Sequence, residues 1–198
     1  MRKLYGGHLC LDFANTVEPR AAEPQHDDLC GYADLVRWGR HAGALDQAQA
    51  ERLLAAAAGR PEAAEASFAS AIDLREATYR TFAAVAAGDS PADGDLEVLQ
   101  DAYAEAMRHV RLRPAADRLA WEWEDDQLGR AWWPMAGAAV ELATAGQLDR
   151  VKQCPPGCGF LFFDASRNRI RRWCSMEECG GHEKARRQTA RRRRARAG

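Results

Sequence analysis

The residues best equipped to do chemistry are two short cysteine pairs near the C-terminal end of the chain. Cys154 and Cys158 enclose three residues, Cys174 and Cys179 enclose four, and 15 residues separate the pairs. Each tight turn supplies two thiolates, which is what a tetrahedral Zn2+ site needs. Four sulfurs leave no open coordination position, so the expected role is structural, contributing folding free energy rather than activating water. His182, three residues beyond Cys179, is a competing donor, but four cysteines already satisfy the metal. The run Cys154-Pro-Pro-Gly-Cys158-Gly159 can bend sharply, Phe160-Leu-Phe-Phe-Asp164 reads as a strand packed beside the metal, and Cys174 and Cys179 fall at or before the start of a helix. Knuckle, hairpin, then helix is the order of a treble-clef-like finger.

Two arginine groups frame these cysteines. Inside the finger stand Arg167, Asn168, Arg169, Arg171 and Arg172, and beyond it follow Lys184, Arg186, Arg187 and Arg191 in a segment with almost no apolar face. Arginine can hold phosphate or read guanine bidentately, and asparagine can pair with adenine. The formal net charge of -1 hides this polarity. Residues 1–149 carry 14 Lys+Arg against 25 Asp+Glu, and residues 150–198 carry 14 against 4. An acidic body bearing a basic arm points to a polyanionic partner, DNA ahead of RNA, with strongly salt-dependent binding. The competing readings are a solvated charged face and docking of the arm onto the acidic body.

No run of 18 apolar residues is present, and the first residues, interrupted by Gly6-Gly7-His8 and then Asp12, lack the apolar core of a signal peptide. A cytoplasmic protein without a membrane span is expected, in a compartment where clustered thiols stay reduced and favour metal over disulfides. Cys10 and Cys30 lie far from the cluster and read as buried or half-buried thiols.

The elements that must position the finger are mostly helical. Residues 9–17 alternate Leu9, Leu11 and Phe13 with other residues, which suits a short strand or extended segment. Asp12 and Asn15 within it either satisfy backbone groups or line a small-molecule pocket. Helices are expected from Tyr32 to about His41, from an Asp46 cap to Ala58, from Pro61 to Gly88, and through Leu96, Leu99, Tyr103 and Met107. The period then changes to two, and Val110–Arg113 with Leu119–Trp123 forms a hairpin whose Trp121 and Trp123 share a face and read as core. Residues 125–146 read as a last helix, kinked at Pro134. The fold class is mainly α with small β elements (α+β). It comprises a helical N-terminal domain with a β-hairpin over 1–148 and a treble-clef-like zinc finger with a basic helix or tail over 149–198.

The run Leu9-Cys-Leu-Asp-Phe-Ala-Asn-Thr16 resembles one signature of the bacterial CGNR zinc-finger proteins. So do Cys154 and Cys158-Gly-Phe-Leu-Phe-Phe-Asp164, Ser166-Arg-Asn-Arg169, Arg172-Trp-Cys174-Ser-Met and Cys179-Gly180. These proteins pair an N-terminal ABATE domain with the finger. The resemblance spans nearly the whole chain, with its specific motifs at the two ends. It implies a stress-induced transcription regulator with structural zinc. The body is expected to sense or to mediate association, with a small-molecule effector near Asp12 and Asn15 and a homodimer both left open. Where the family reads Cys-Gly-Asn-Arg, this chain has Cys179-Gly180-Gly181-His182, so roles for that Asn and Arg do not carry over. No Ser/His/Asp constellation, glycine-rich phosphate loop or histidine pair at ligand spacing accompanies these motifs, and a non-enzymatic binding protein is expected.

Overall fold

In the computed structural model the described residues are 3–20, 23–125, 127–155, 157–181, 183–185 and 188–189. The chain opens with a short helix, α1 (Leu9–Ala14), in which all but the first residue are buried. An apolar run of this length does not by itself distinguish strand from helix. Here the segment is walled by other elements on several sides, and a helix satisfies its own backbone where no strand partner exists. The extended segment expected from the alternation is therefore replaced by a helical turn. A two-residue ribbon follows, β1 (Val17–Glu18) against β2 (His26–Asp27).

The helical layer matches the periodicity closely. Helix α2 (Tyr32–His41) buries Leu35, Val36 and Trp38. Helix α3 (Gln47–Gly59) starts at a reciprocal capping box, with the Asp46 carboxylate accepting from the Gln49 N–H and the Gln49 side chain accepting from the Asp46 N–H. Helix α4 (Pro61–Ala87) begins at a proline that needs no backbone donor and ends at Gly88, whose φ of 83° is the left-handed cap geometry. Helix α5 (Asp93–Arg108) packs along α4.

The hairpin β3 (Val110–Ala115) and β4 (Arg118–Trp123) pairs Val110 with Trp123, Leu112 with Trp121 and Pro114 with Leu119, which sets these residues on one face. Only its base joins the body: Val110 is buried and Trp123 packs on the core, while Leu112, Leu119 and Trp121 are 49%, 60% and 59% exposed. The expectation that both tryptophans are core holds for Trp123 alone, because the ribbon projects beyond the helices that would have covered Trp121. Residues 125–146 do not form one kinked helix. A 3-10 turn (Leu128–Ala131) precedes α6 (Trp133–Thr144), and Pro134 sits in the first turn of α6, where its missing N–H costs nothing.

After a second 3-10 turn (Leu148–Arg150), β5 (Val151–Gln153) and β6 (Leu161–Phe163) form an antiparallel pair, and a π-helical turn (Met176–Gly180) carries the last cysteine. Successive side chains of β6 point to opposite faces. Leu161 and Phe163 pack into the main core with Phe13, Leu74, Phe82 and Met135, whereas Phe160 and Phe162 pack with Cys154 and Cys174 in a second, smaller core. One strand thus closes two cores, which is why its sequence is apolar without interruption. Among the described residues no helix is long and apolar enough to cross a membrane.

Candidate metal centre and its arginine loop

Cys154 and Cys158 flank the knuckle that leads from β5 to β6, and Cys154 extends the ladder through its N–H to the Phe160 carbonyl at 2.8 Å. Gly157 and Gly159 have φ of 103° and 76°, so the turn needs residues without a Cβ at both points. Cys174 and Cys179 come from the loop and π-helical turn that return beneath it. The four sulfurs lie within 4.8 Å of one another, with Cys158 to Cys174 at 3.7 Å and Cys174 to Cys179 at 3.6 Å. A tetrahedron with Zn–S bonds of ~2.3 Å has edges of about 3.8 Å, so this donor set fits zinc in number, chemistry and spacing. Hydrogen bonding to the neighbouring Cys154 sulfur, with burial and the repulsion between adjacent thiolates added to it, pushes the Cys158 and Cys174 thiols up. A divalent cation removes that penalty and deprotonates the cluster.

The quartet is tied to the body at several points. The Arg20 N–H donates to the Cys158 carbonyl at 2.9 Å, and the Tyr79 hydroxyl donates to the Gly159 carbonyl at 3.0 Å while accepting from Gln153 Nε2 at 2.8 Å. Asn15 acts as an extra strand partner: its Nδ2 donates to the Leu161 carbonyl at 2.8 Å and its Oδ1 accepts from the Leu161 N–H at 2.9 Å. Asp12 is also buried, with Oδ1 accepting from the Gly6 N–H at 2.6 Å. Burial pushes its carboxyl above the usual range, against the opposing effect of backbone donors at Gly6, Tyr5 and Gly7. The space beside Asp12 and Asn15 amounts to about 20 Å³, close to one water. Asn15 thus ties α1 to β6 directly, and Asp12 holds Gly6, whose carbonyl accepts from the Phe163 N–H at 2.7 Å. The sequence left Asn15 between satisfying backbone groups and lining a pocket, and its partner, 146 residues away, was not visible from composition.

Asp164 organises the loop between the cysteine pairs. It is fully buried and accepts from Lys152 Nζ at 2.6 Å, the Ser166 N–H and hydroxyl at 3.0 and 2.5 Å, and the Arg171 N–H at 3.0 Å. Burial opposes its ionisation, but these donors outweigh it and hold the carboxyl well below the usual carboxylate range. The arginines around it divide into two kinds. Arg171 turns inward: its guanidinium lies 4.6 Å from the Phe162 ring and donates to the Trp173 and Cys174 carbonyls. Arg169 has a positive φ of 52° and pairs with Asp149. Arg167, Asn168 and Arg172 are exposed, and their side chains make no hydrogen bond or ion pair among the described residues. Lys184 is likewise exposed, whereas His182, Arg186, Arg187 and Arg191 lie outside the described residues. Of the two cysteines remote from the cluster, Cys10 is buried and Cys30 exposed.

A further feature was not anticipated. A cleft of about 810 Å³ opens between α4, α5 and the 3-10 turn before α6, lined by residues read from sequence as scaffold. The legible signal was a row of small and polar residues on α4, Ala63, Ser67, Ser70, Asp73, Glu76 and Arg80, at three- and four-residue spacing.

No curated protein matches the chain. Residues 150–192 match the CGNR zinc finger family, which together with the clustered sulfurs makes this a structural zinc site. Residues 7–146 match the ABATE family, described as "Putative stress-induced transcription regulator". The ABATE match spans well over half of the chain, so the chain belongs to the ABATE family and carries a CGNR zinc finger.

Proposed function

We propose that the protein is a cytoplasmic DNA-binding transcription regulator with no enzymatic role, in which residues 149–198 grip DNA and residues 1–148 sense or associate. The observation that carries this reading is the division of labour among the finger arginines. Arg171 is consumed in holding the loop, while Arg167, Asn168 and Arg172 stand exposed on that loop between the two halves of the cysteine quartet, with no side-chain partner among the described residues. Arg169 stands in the same loop, and Lys184, Arg186, Arg187 and Arg191 add positive charge further along the sequence. A rigid, metal-anchored loop presenting unpaired guanidiniums loses little entropy on meeting phosphate, and each phosphate neutralised releases counterions.

Mobility-shift titrations across a salt series, with and without a zinc chelator, test the reading. Binding should weaken steeply with salt and vanish on chelation. Arg167→Ala/Arg172→Ala should lower the slope of log K against log salt by about 2. Competition with structured RNA separates the DNA reading from one of RNA or ribosome association. The absence of any nucleic-acid shift at low salt, or a shift indifferent to chelation, would sink it.

A further inference from the structure

The arginine loop of the finger carries one large apolar side chain that neither core takes up. Ile170 is 73% exposed, more than any other large hydrophobic side chain among the described residues, and it packs with neither the body nor the cysteine cluster. A lone exposed aliphatic residue is ordinary on a protein surface. What sets Ile170 apart is how firmly the chain on both sides of it is fixed.

The two peptide units that flank Ile170 are both turned inward. The Arg169 carbonyl accepts from Lys152 Nζ at 2.5 Å, and the Arg171 N–H donates to the buried Asp164 carboxylate at 3.0 Å. Lys152 also donates to the Arg171 carbonyl at 3.1 Å and to Asp164 Oδ2 at 2.6 Å, so all three of its protons serve this stretch. Upstream, the Arg169 N–H closes a turn onto the Ser166 carbonyl at 3.3 Å, and Arg169 itself has a φ of 52°. Left-handed backbone disfavours a Cβ, so this bend is imposed by its surroundings rather than by the residue's own preference. Downstream, the Arg171 guanidinium lies over the Phe162 ring. Exposure alternates from there as in an extended chain: Ile170 and Arg172 are exposed, while Arg171 and Trp173 are partly covered.

The neighbours of Ile170 indicate the kind of surface it meets. Arg167 and Asn168 precede it at the tip of the turn and Arg172 follows it, all exposed and without a side-chain partner among the described residues. Cations set close beside an aliphatic side chain match a surface on which anions and apolar groups alternate at short range. A nucleic-acid duplex is such a surface, with phosphates along each groove and bases between them. Aliphatic wedges insert between base steps there and partly unstack them. Insertion favours a side chain with few rotamers on a backbone that does not yield, and a β-branched residue clamped on both sides meets both conditions.

We propose that Ile170 is the finger's contact to the bases: an apolar wedge set between base steps of a DNA duplex while Arg167 and Arg172 hold the phosphates on either side. This assignment rests on the DNA-binding reading above and adds to it a residue that carries no charge.

Titration of the full-length, zinc-loaded protein against a short duplex of alternating thymine and adenine, with 2-aminopurine in place of its central adenines, tests the proposal. TA steps unstack readily, and 2-aminopurine brightens when its neighbours unstack. Binding of the parent protein should raise the emission. Ile170→Ala should bind about tenfold more weakly at every salt concentration, with the slope of log K against log salt unchanged, and should leave the emission flat at saturation. Arg172→Ala should do the reverse, lowering the slope by about 1 while the bound duplex still brightens. Ile170 belongs to neither core, and unchanged circular dichroism and zinc content would show that the loop survives its substitution. The proposal is overturned, with the DNA-binding reading left standing, if the parent binds the duplex without brightening it, or if Ile170→Ala binds as the parent does or lowers the slope instead. If the parent shifts no duplex even at low salt, both fall together.

Discussion

Asp164 shows how one carboxylate can set the shape of a loop that has little other core. It collects four hydrogen bonds from Lys152, Ser166 and Arg171 while fully excluded from solvent. Asp164→Asn keeps the size but replaces one acceptor by a donor and leaves Lys152 only the Arg169 and Arg171 carbonyls, at a cost of about 2–3 kcal/mol at neutral pH. The native carboxyl is held below its ordinary value, so the stability it contributes is fully present above the unfolded value, ~4, and is lost as pH falls toward the depressed native value. Chemical denaturation of zinc-loaded parent and variant across acid pH should show the gap between them closing as pH decreases; a gap independent of pH would contradict the assignment. The sequence disclosed Asp164 only as the end of an apolar strand. It disclosed the finger arginines only as a group, because an arginine over the Phe162 ring and one facing solvent are spelled alike. Packing separates Arg171 from Arg172, and packing is a property of contacts far apart in the chain.

At the scale of elements, what could be read was what periodicity and punctuation encode. Asp46 with Gln49 announced α3, and Pro61 with Gly88 bracketed α4, since caps are local chemistry. Segment α1 was misread because its alternation reflects burial on several sides rather than a pleat, and α6 because a proline in a first turn reads like one in mid-helix. The hairpin was legible, but its exposure was not. Its turn contains a testable strain: Ala116 adopts a φ of 46°, a left-handed conformation that disfavours a Cβ, between the paired residues Ala115 and Arg118. Ala116→Asn should therefore stabilise the protein by about 0.5–1 kcal/mol, read as a raised denaturation midpoint with an unchanged slope. A lowered midpoint would mean that the turn is not strained at Ala116.

At the scale of the whole molecule, the acidic body and the basic finger are separable in sequence but interlocked in space. Strand β6 sends Leu161 and Phe163 into the body and Phe160 and Phe162 toward the zinc cysteines, and Asn15 clamps its backbone from α1. A finger of this size cannot hold itself together without its metal, and structural zinc contributes several kcal/mol or more to such modules. Because β6 is shared, the loss of the metal cannot be confined to the finger: freeing the strand uncovers two large side chains of the main core, worth ~1.5–3 kcal/mol each. The zinc-loaded protein is therefore expected to melt in one cooperative transition, and chelation should lower its Tm by about 10 °C or more. Tryptophan emission should report the same shift, since Trp38, Trp132 and Trp133 lie in the body core rather than the finger. Two resolved transitions, of which chelator moved only the smaller, would show instead that β6 detaches without cost to the helices. The shared strand would then be an accident of packing rather than the joint through which the two halves depend on each other.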